Sequence, residues 1–329
     1  MMTPPVARRV PRLRYRPTAL QDLDECFELM PAWLGLDAAL SHELRRLWDS
    51  LVDQPAVLTG VMEDMALPPG QRIQAWGVTM ALRPAQVQAL ALDSGPHAHV
   101  TRRIYASLLD GSQPPMSDRE IGLLNARGEL VLMILHFSQR HTDLSDPYVS
   151  SVIAIANDTF RAFHDGYQLR AFFYETSAEV EPIAAASGFL PRRYADQTAL
   201  QALPPALRPS LMGLTREEAR SRLPGSPARN TFEHQPPMFR FSASQRRLLW
   251  LSLFDDSDEH LMQALDVSIH GLKKLWRGVY ERIEDVAPDF FGEAAGDNEG
   301  RRGPEKRRQV LAYVRQRPEE LRPWVEQGT

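Results

Sequence analysis

The chain has 329 residues, 43% hydrophobic and 24% charged, with a formal net charge of −4. That length predicts two or three domains, and the composition is ordinary for a soluble globular protein. The acidic balance excludes a chain that coats nucleic acid through bulk charge, although a local basic face is not excluded. No apolar run approaches the length of a membrane span, and the N-terminus has no uninterrupted apolar signal region. The single cysteine, Cys26, excludes an internal disulfide framework and suits a cytoplasmic setting.

Residues 1–11 read as a disordered basic tail. A short extended segment at 13–17 follows, then a helix through Leu20, Leu23, Phe27 and Met30. Cys26 falls among those apolar positions and reads as a buried structural thiol. A second helix, 40–52, carries Leu44, Leu47, Trp48 and Leu51. Strand-like runs at 56–62 and 73–82 flank a turn at Pro68-Pro69-Gly70. The continuous apolar run 129–137 reads as a central strand covered on both faces. A helix over 149–166, a strand over 169–174 and a short helix over 178–187 complete a strand–helix alternation. Such alternation predicts an α/β domain over 12–202.

Pro204, Pro205, Pro209, Pro224, Pro227, Pro236 and Pro237 mark 203–238 as a Pro-rich linker, interrupted by a short helix over 216–221. Beyond it, 239–291 reads as three short helices. Ser242, Ser257 and Ser268 stand at their N-caps, and Asp266-Val267-Ser268 is the turn before the third. Ile269, Leu272, Trp276, Val279 and Ile283 recur at three- and four-residue spacing, with His270, Lys273, Lys274 and Arg277 largely opposite. An apolar stripe opposite a donor-rich face is the pattern of a helix-turn-helix, which seats one helix in a DNA groove. Leu275 beside Trp276 widens the apolar face. A hinge rich in Gly and acidic residues spans 292–303. A basic C-terminal helix follows over 304–329, with Val310, Leu311 and Val314 inward.

Two stretches resemble known families. Residues 241–283 look like the LuxR-type DNA-binding domain. Ser242 and Gln245 stand where that family opens with Thr/Ser and Glu, and Leu265-Asp-Val-Ser268 matches its Leu-x-Ile/Val-Ser. Leu272-Lys273 matches its Val-Lys. Asp255, His260, Met262 and Gly271 depart from the pattern. The resemblance implies a four-helix domain that binds double-stranded DNA as a homodimer. Ser268, His270, Lys273, Lys274 and Arg277 would then face the groove, Arg246 and Arg247 the backbone, and Lys306, Arg307 and Arg308 further phosphates.

Residues 12–198 resemble the GNAT acetyltransferase fold, through Arg16-Pro17-Thr18 with Asp22 at the start and Ser187-Gly188-Phe189 near the end. The expected fold is therefore a GNAT-like α/β domain with a mixed sheet and flanking helices, followed by an all-α helix-turn-helix domain. In that family, acetyl-CoA binding depends on a Gly-containing segment between the central strand and the next helix. Here that stretch, 139–148, has no glycine and two aspartates, Asp143 and Asp146. An active acetyltransferase is therefore not expected, and no cofactor and no catalytic residue are assigned. Tyr174 and Glu175 stand near a strand end, with structural roles favoured. His136, His141 and His164, with Asp143, Asp146 and Asp158, lack diagnostic spacing, so no metal site is expected.

The sequence thus reads as a cytoplasmic DNA-binding transcriptional regulator whose N-terminal domain senses a small molecule or a protein effector. The alternatives are an acyl-CoA-dependent N-acetyltransferase with a helical accessory domain, or a non-enzymatic helical interaction protein.

Overall fold

The computed structural model describes residues 10–292 and 299–326. The expected basic tail falls outside the described residues up to residue 9, and most of the 292–303 hinge falls outside them too. The chain folds as two units. One takes the described residues through Ser117, then Val131–Phe163 and Arg170–Arg229. The other takes Asp118–Leu130, His164–Leu169 and the described residues from Asn230 onward.

The first unit is built on one seven-stranded sheet of order β1-β2-β3-β4-β5-β7-β6. Its strands are β1 (Leu13–Pro17), β2 (Val57–Asp64), β3 (Ile73–Leu82), β4 (Leu130–Gln139), β5 (Leu169–Ser177), β6 (Leu190–Arg192) and β7 (Pro209–Thr215). β1 to β4 form an antiparallel meander, and β7 pairs antiparallel with both β5 and β6. The helices α1 (Leu23–Phe27), α2 (Ala38–Leu51), α3 (Pro84–Ala89) and α4 (Val100–Leu109) precede β4 in the chain. Asp37 caps α2 by accepting from the Leu40 N–H at 2.8 Å, and Leu44, Trp48 and Leu51 face inward at helical spacing. They join Trp76 of β3, Ile104 and Tyr105 of α4, and Met133 and Leu135 of β4 in one core. α5 (Asp118–Arg127) belongs to the second unit.

The 18-residue α6 (Pro147–His164) connects β4 to β5. Phe160 of α6 stacks on Phe172 of β5 at 5.7 Å between ring centroids, and Phe189 closes edge-on to Phe172 at 5.5 Å. The opening Arg16–Asp22 stretch has a clear physical role. The Arg16 guanidinium holds Asp22 at 2.6 Å and Glu63 at 2.8 Å, so one half-buried cation ties β1 to β2 and to the first helical turn.

Two sequence expectations are corrected here. The stretch 203–238 is not a linker, because β7 lies within it as an inner strand of the sheet. Leu211, Met212 and Leu214 are fully buried, and the flanking prolines disguise a seven-residue strand. Two short helices follow it, α9 (Arg216–Arg220) and α10 (Pro227–Asn230), after α7 (Glu181–Ala186) and α8 (Gln197–Leu200) before it. The 12–202 boundary is corrected as well, since α5 and the 164–169 turn leave the α/β unit for the helical one. Residues 83–128, which carry no assignment from sequence, hold α3, α4 and α5.

The second unit gathers α5 with α11 (Ala243–Ser252), α12 (Asp258–Leu265), α13 (Ile269–Val286) and α14 (Glu299–Gln316). Ser242, Ser257 and Ser268 cap α11, α12 and α13 by accepting from Gln245, His260 and Gly271 N–H groups. Asp266 turns the chain in the left-handed region, φ 51°. Leu272, Trp276, Val279 and Ile283 are buried with Val310, Leu311 and Val314 of α14. α14 begins five residues before Pro304, the expected start, and carries that proline within its first two turns.

Candidate functional site

In the first unit the polar chemistry collects on β4, β5 and α4. β4 is irregular near its middle. Across from β3, the partner of Val78 is His136 while the partner of Thr79 is Ile134, which leaves Leu135 with no opposite residue. An extra residue of this kind re-aims side chains and interrupts the ladder, and such irregularities gather beside ligand sites. Both Leu135 and His136 then face the same side of the sheet. Leu135 lies in the core with Trp76 and Val78, and His136 stands edge-on to Trp76 at 4.7 Å between ring centroids.

His136 is fully buried, and neither Nδ1 nor Nε2 has a hydrogen-bond partner within the protein. Burial alone pushes its pKa down to about 3, so the ring is neutral at physiological pH. Ser138, two residues on and on the same face, is 8% exposed with an unpaired Oγ. Helices packed in the same core carry two more unpaired atoms. Trp48 packs against Trp76 at 5.1 Å, and Trp48 Nε1 and Tyr105 Oη lie near each other without forming a well-made hydrogen bond. Buried polar atoms are paired in the great majority of native interiors, so these unpaired ones call for an explanation. Trp76 is the exception, because its Nε1 donates to Thr59 Oγ1 at 2.8 Å.

β5 contributes Glu175. Its carboxylate is fully buried and accepts from the Val100 N–H at 2.8 Å, the Thr101 N–H at 2.6 Å and the Tyr194 O–H at 2.7 Å. It therefore completes the N-terminus of α4. Burial raises the Tyr194 phenol far above its ordinary range, reinforced by Glu175, so Tyr194 stays a donor. Thr101 Oγ1 donates to the Leu135 carbonyl at 2.9 Å, tying α4 to the irregular turn of β4. Glu175 thus positions α4 against the site. Tyr174, its neighbour, lies on the opposite face beside Phe189, with burial raising its pKa to about 12.

The stretch expected to decide acetyl-CoA binding runs from the end of β4 into α6, and several of its donors are already engaged. Asp146 accepts from the Tyr148 N–H at 2.8 Å, and Asp143 accepts from the Ser145 N–H at 2.9 Å and Ser145 Oγ at 2.7 Å. Asp146 N–H and Ser150 N–H go to the Asp143 and Asp146 carbonyls, each at 3.0 Å. The one arginine here, Arg140, donates to the Ile73 carbonyl at 3.2 Å and to Glu28 at 3.1 Å. A cleft of about 230 Å³ opens beside α6, lined by Pro11, Asp64, Leu67, Gln74, His141 and Tyr148. Carboxylates stand where a pyrophosphate would need N–H groups, so these residues do not fit the nucleotide end of coenzyme A.

His136, His141 and His164 are not brought together. His136 is interior, His141 is exposed beside Tyr148 at 6.4 Å, and His164 belongs to the other unit. Among the described residues no cluster suited to a metal ion is present, and no helix is long and apolar enough to cross a membrane.

In the helical unit Ser268, His270, Lys273, Lys274, Arg277 and Arg247 are exposed. Arg246 is not at the surface. It is 9% exposed, donates to both oxygens of Asp118 at 2.6 Å and to the Phe241 carbonyl at 2.6 Å, and so locks α11 to α5. Arg307 lies over Trp276 at 4.6 Å and pairs with Asp258 at 2.9 Å. Lys306 pairs with Glu284 at 2.5 Å and lies over Phe291 at 4.6 Å, and Arg308 pairs with Glu305 at 2.9 Å while remaining exposed. Leu275 packs against the helical core rather than offering an outward apolar face.

No protein-family model and no curated protein matches the chain. Solved structures similar to it include FeeM, an N-acyl amino acid synthase from uncultured soil microbes, at 12% identity and TM-score 0.35, over 65% of this chain and 97% of that one. The spermidine/spermine N-acetyltransferase SpeG from Vibrio cholerae is similar at 12% identity and TM-score 0.34, over 64% of this chain and 100% of that one. The C-terminal condensation domain of Ebony is similar at 11% identity and TM-score 0.33, over 63% of this chain and 100% of that one. The expectation of a DNA-binding transcriptional regulator of LuxR type, with no enzymatic role, is corrected by these findings. The similar structures named are a synthase, an acetyltransferase and a condensation domain and not DNA-binding regulators, and Arg246 is committed to the interior of the helical unit.

Proposed function

We propose that the α/β unit is an N-acyltransferase, moving an acyl group from a thioester to an amine. The observation that carries this reading is the unpaired His136 and Ser138 beside the irregular middle of β4. They lie in the C-terminal half of β4, an inner strand between β3 and β5. The sheet order and the Arg16–Asp22 and Ser187–Phe189 segments, which resemble the GNAT family, support the same reading.

Amide formation needs a neutral amine, a place for its proton and an orientation for the carbonyl. The amine lone pair attacks the thioester carbon, a C–N bond forms, and the C–S bond breaks with its electron pair leaving on sulfur. The proton shed by the amine nitrogen goes to the thiolate. His136 accepts a hydrogen bond from the amine N–H through an unshared ring nitrogen and so orients the amine. With a pKa pushed down to about 3 it is too weak a base to carry the proton, which reaches the thiolate through solvent. Ser138 Oγ supplies a second hydrogen bond to the amine. Glu175 and Thr101 hold α4 and the Leu135 turn in place without touching substrate.

The test is incubation of the full chain with S-acetyl thioesters and a panel of amino acids, polyamines and aromatic amines, following thiol release and N-acyl product together. Amine-dependent release with equimolar N-acyl product is the expected result. Release no faster than in protein-free controls, for every amine, would rule the reading out.

A further inference from the structure

The corner where β4 runs into α6 narrows the class of donor. We infer, resting on the acyltransferase reading above, that the donor is an acyl group on a pantetheine-type arm without a nucleotide diphosphate. Free acyl-coenzyme A is then a poor donor.

Three separate features of the corner carry this. First, several of the N–H groups at the start of α6 that could cradle a pyrophosphate already have acceptors. Tyr148 N–H is held by the Asp146 carboxylate, Ser145 N–H by Asp143, and Asp146 N–H by the Asp143 carbonyl. A helix N-terminus attracts anions only while its N–H groups and partial positive charge are unspent. Second, two carboxylates occupy the position and repel a diphosphate outright. Both are exposed, and the Asp143 carboxyl is held below its usual range by the Ser145 hydroxyl and N–H, so it stays charged. Third, the arginine of the stretch itself offers the corner no compensating charge. Arg140 is turned away to Glu28 and the Ile73 carbonyl, and the adjoining cleft is lined by a further carboxylate, Asp64. Asp64 also accepts from the Arg12 N–H and the Ala66 N–H, each at 2.9 Å, which fixes it in place.

What remains for recognition is the uncharged part of the donor: the thioester, its amide-bearing arm and the acyl chain. The interrupted ladder of β4 and a neutral imidazole suit those groups. Such arms exist tethered to a carrier protein or as free pantetheine thioesters, and both lack the adenosine diphosphate that this corner rejects.

The experiment measures saturation of the full chain by S-acetyl-pantetheine, acetyl-CoA and an acetylated holo-carrier protein, by calorimetry and by shift in melting temperature. The wild type is set beside D143N/D146N, in which asparagine keeps a capping oxygen while removing charge. The expected result is saturation by acetyl-pantetheine at lower concentration than by acetyl-CoA. D143N/D146N should gain about three- to tenfold in acetyl-CoA affinity with acetyl-pantetheine unchanged. Saturation by the carrier form below the concentration needed for free acetyl-pantetheine identifies a tethered source, and the reverse identifies a free one. Acetyl-CoA binding tenfold or more tightly than acetyl-pantetheine, unaffected by the two substitutions, would overturn the inference while leaving the acyltransferase reading standing. Failure of every thioester to bind would remove both.

Discussion

The His136 imidazole stands edge-on to the Trp76 indole with ring centroids 4.7 Å apart, and only the indole has a hydrogen-bond partner. A neutral histidine held in an apolar, unpaired setting makes stability depend on pH. Its folded-state pKa, about 3, lies below the ordinary value of 6.5. Between those values the unfolded chain takes up a proton that the native state refuses. Stability should therefore fall as pH drops from about 6.5 toward 3, by up to about 1.4 kcal/mol per pH unit in that window. H136L should flatten that part of the curve. Denaturant unfolding of both proteins from pH 7 to pH 4 checks it, and parallel curves would show that His136 is not the titrating group.

Glu175 accepts three buried hydrogen bonds, two of them from the first turn of α4. E175A strands two backbone N–H groups and a phenol, and should cost about 3–5 kcal/mol. Y194F removes one donor to a carboxylate that keeps two others, and should cost about 1–2 kcal/mol. Chemical denaturation of the two variants would show this ordering, and an equal loss in both would deny Glu175 its role as the α4 cap.

Much of this architecture was readable in the residues, and the failures have physical causes. β3 falls on 73–82 as expected, and β4 and α6 lie within two residues of their expected bounds, because long apolar runs and 3.6-residue periodicity are strong signals. β7 was hidden by proline. Pro209 is the first residue of the strand, where the missing N–H does little harm, yet in a sequence it reads as punctuation. The interleaving of α5 with the C-terminal helices was also hidden, since the ion pair joining Asp118 to Arg246 spans 128 positions. A donor-rich helix face opposite an apolar stripe suggested DNA, but that stripe is explained by the helical core alone. His136 was noticed only as one of several histidines. What sets it apart is its lack of partners, which is a property of packing and not of spacing.

β7 can be probed at Gly213, opposite Phe173 of β5. A Cβ there would stand 2.7 Å from the Phe173 ring and 2.9 Å from Arg192 Nε. G213V should cost about 1–3 kcal/mol through overpacking, measured as a lower denaturation midpoint. An unchanged midpoint would return this stretch to the status of a linker.

In the helical unit, Arg246 gives a bidentate pair with Asp118 and a bond to the Phe241 carbonyl. R246A should cost about 1–3 kcal/mol, since it removes a buried arginine whose carboxylate partner, 35% exposed, water can partly solvate. R246A/D118A should cost less than the sum of the single changes. Additive losses in a double-mutant cycle would mean that the two residues act separately.

The measurement that bears most directly on the account is the rate of acyl transfer from S-acetyl-pantetheine to the best amine of the panel, by the wild type and by H136L. Each protein would first be shown to be folded by its melting transition. The account predicts amine-dependent transfer by the wild type and a loss of about tenfold in kcat/KM for H136L, the worth of one hydrogen bond to the amine. Transfer at the wild-type rate by folded H136L, or no amine-dependent transfer by the wild type itself, would contradict it.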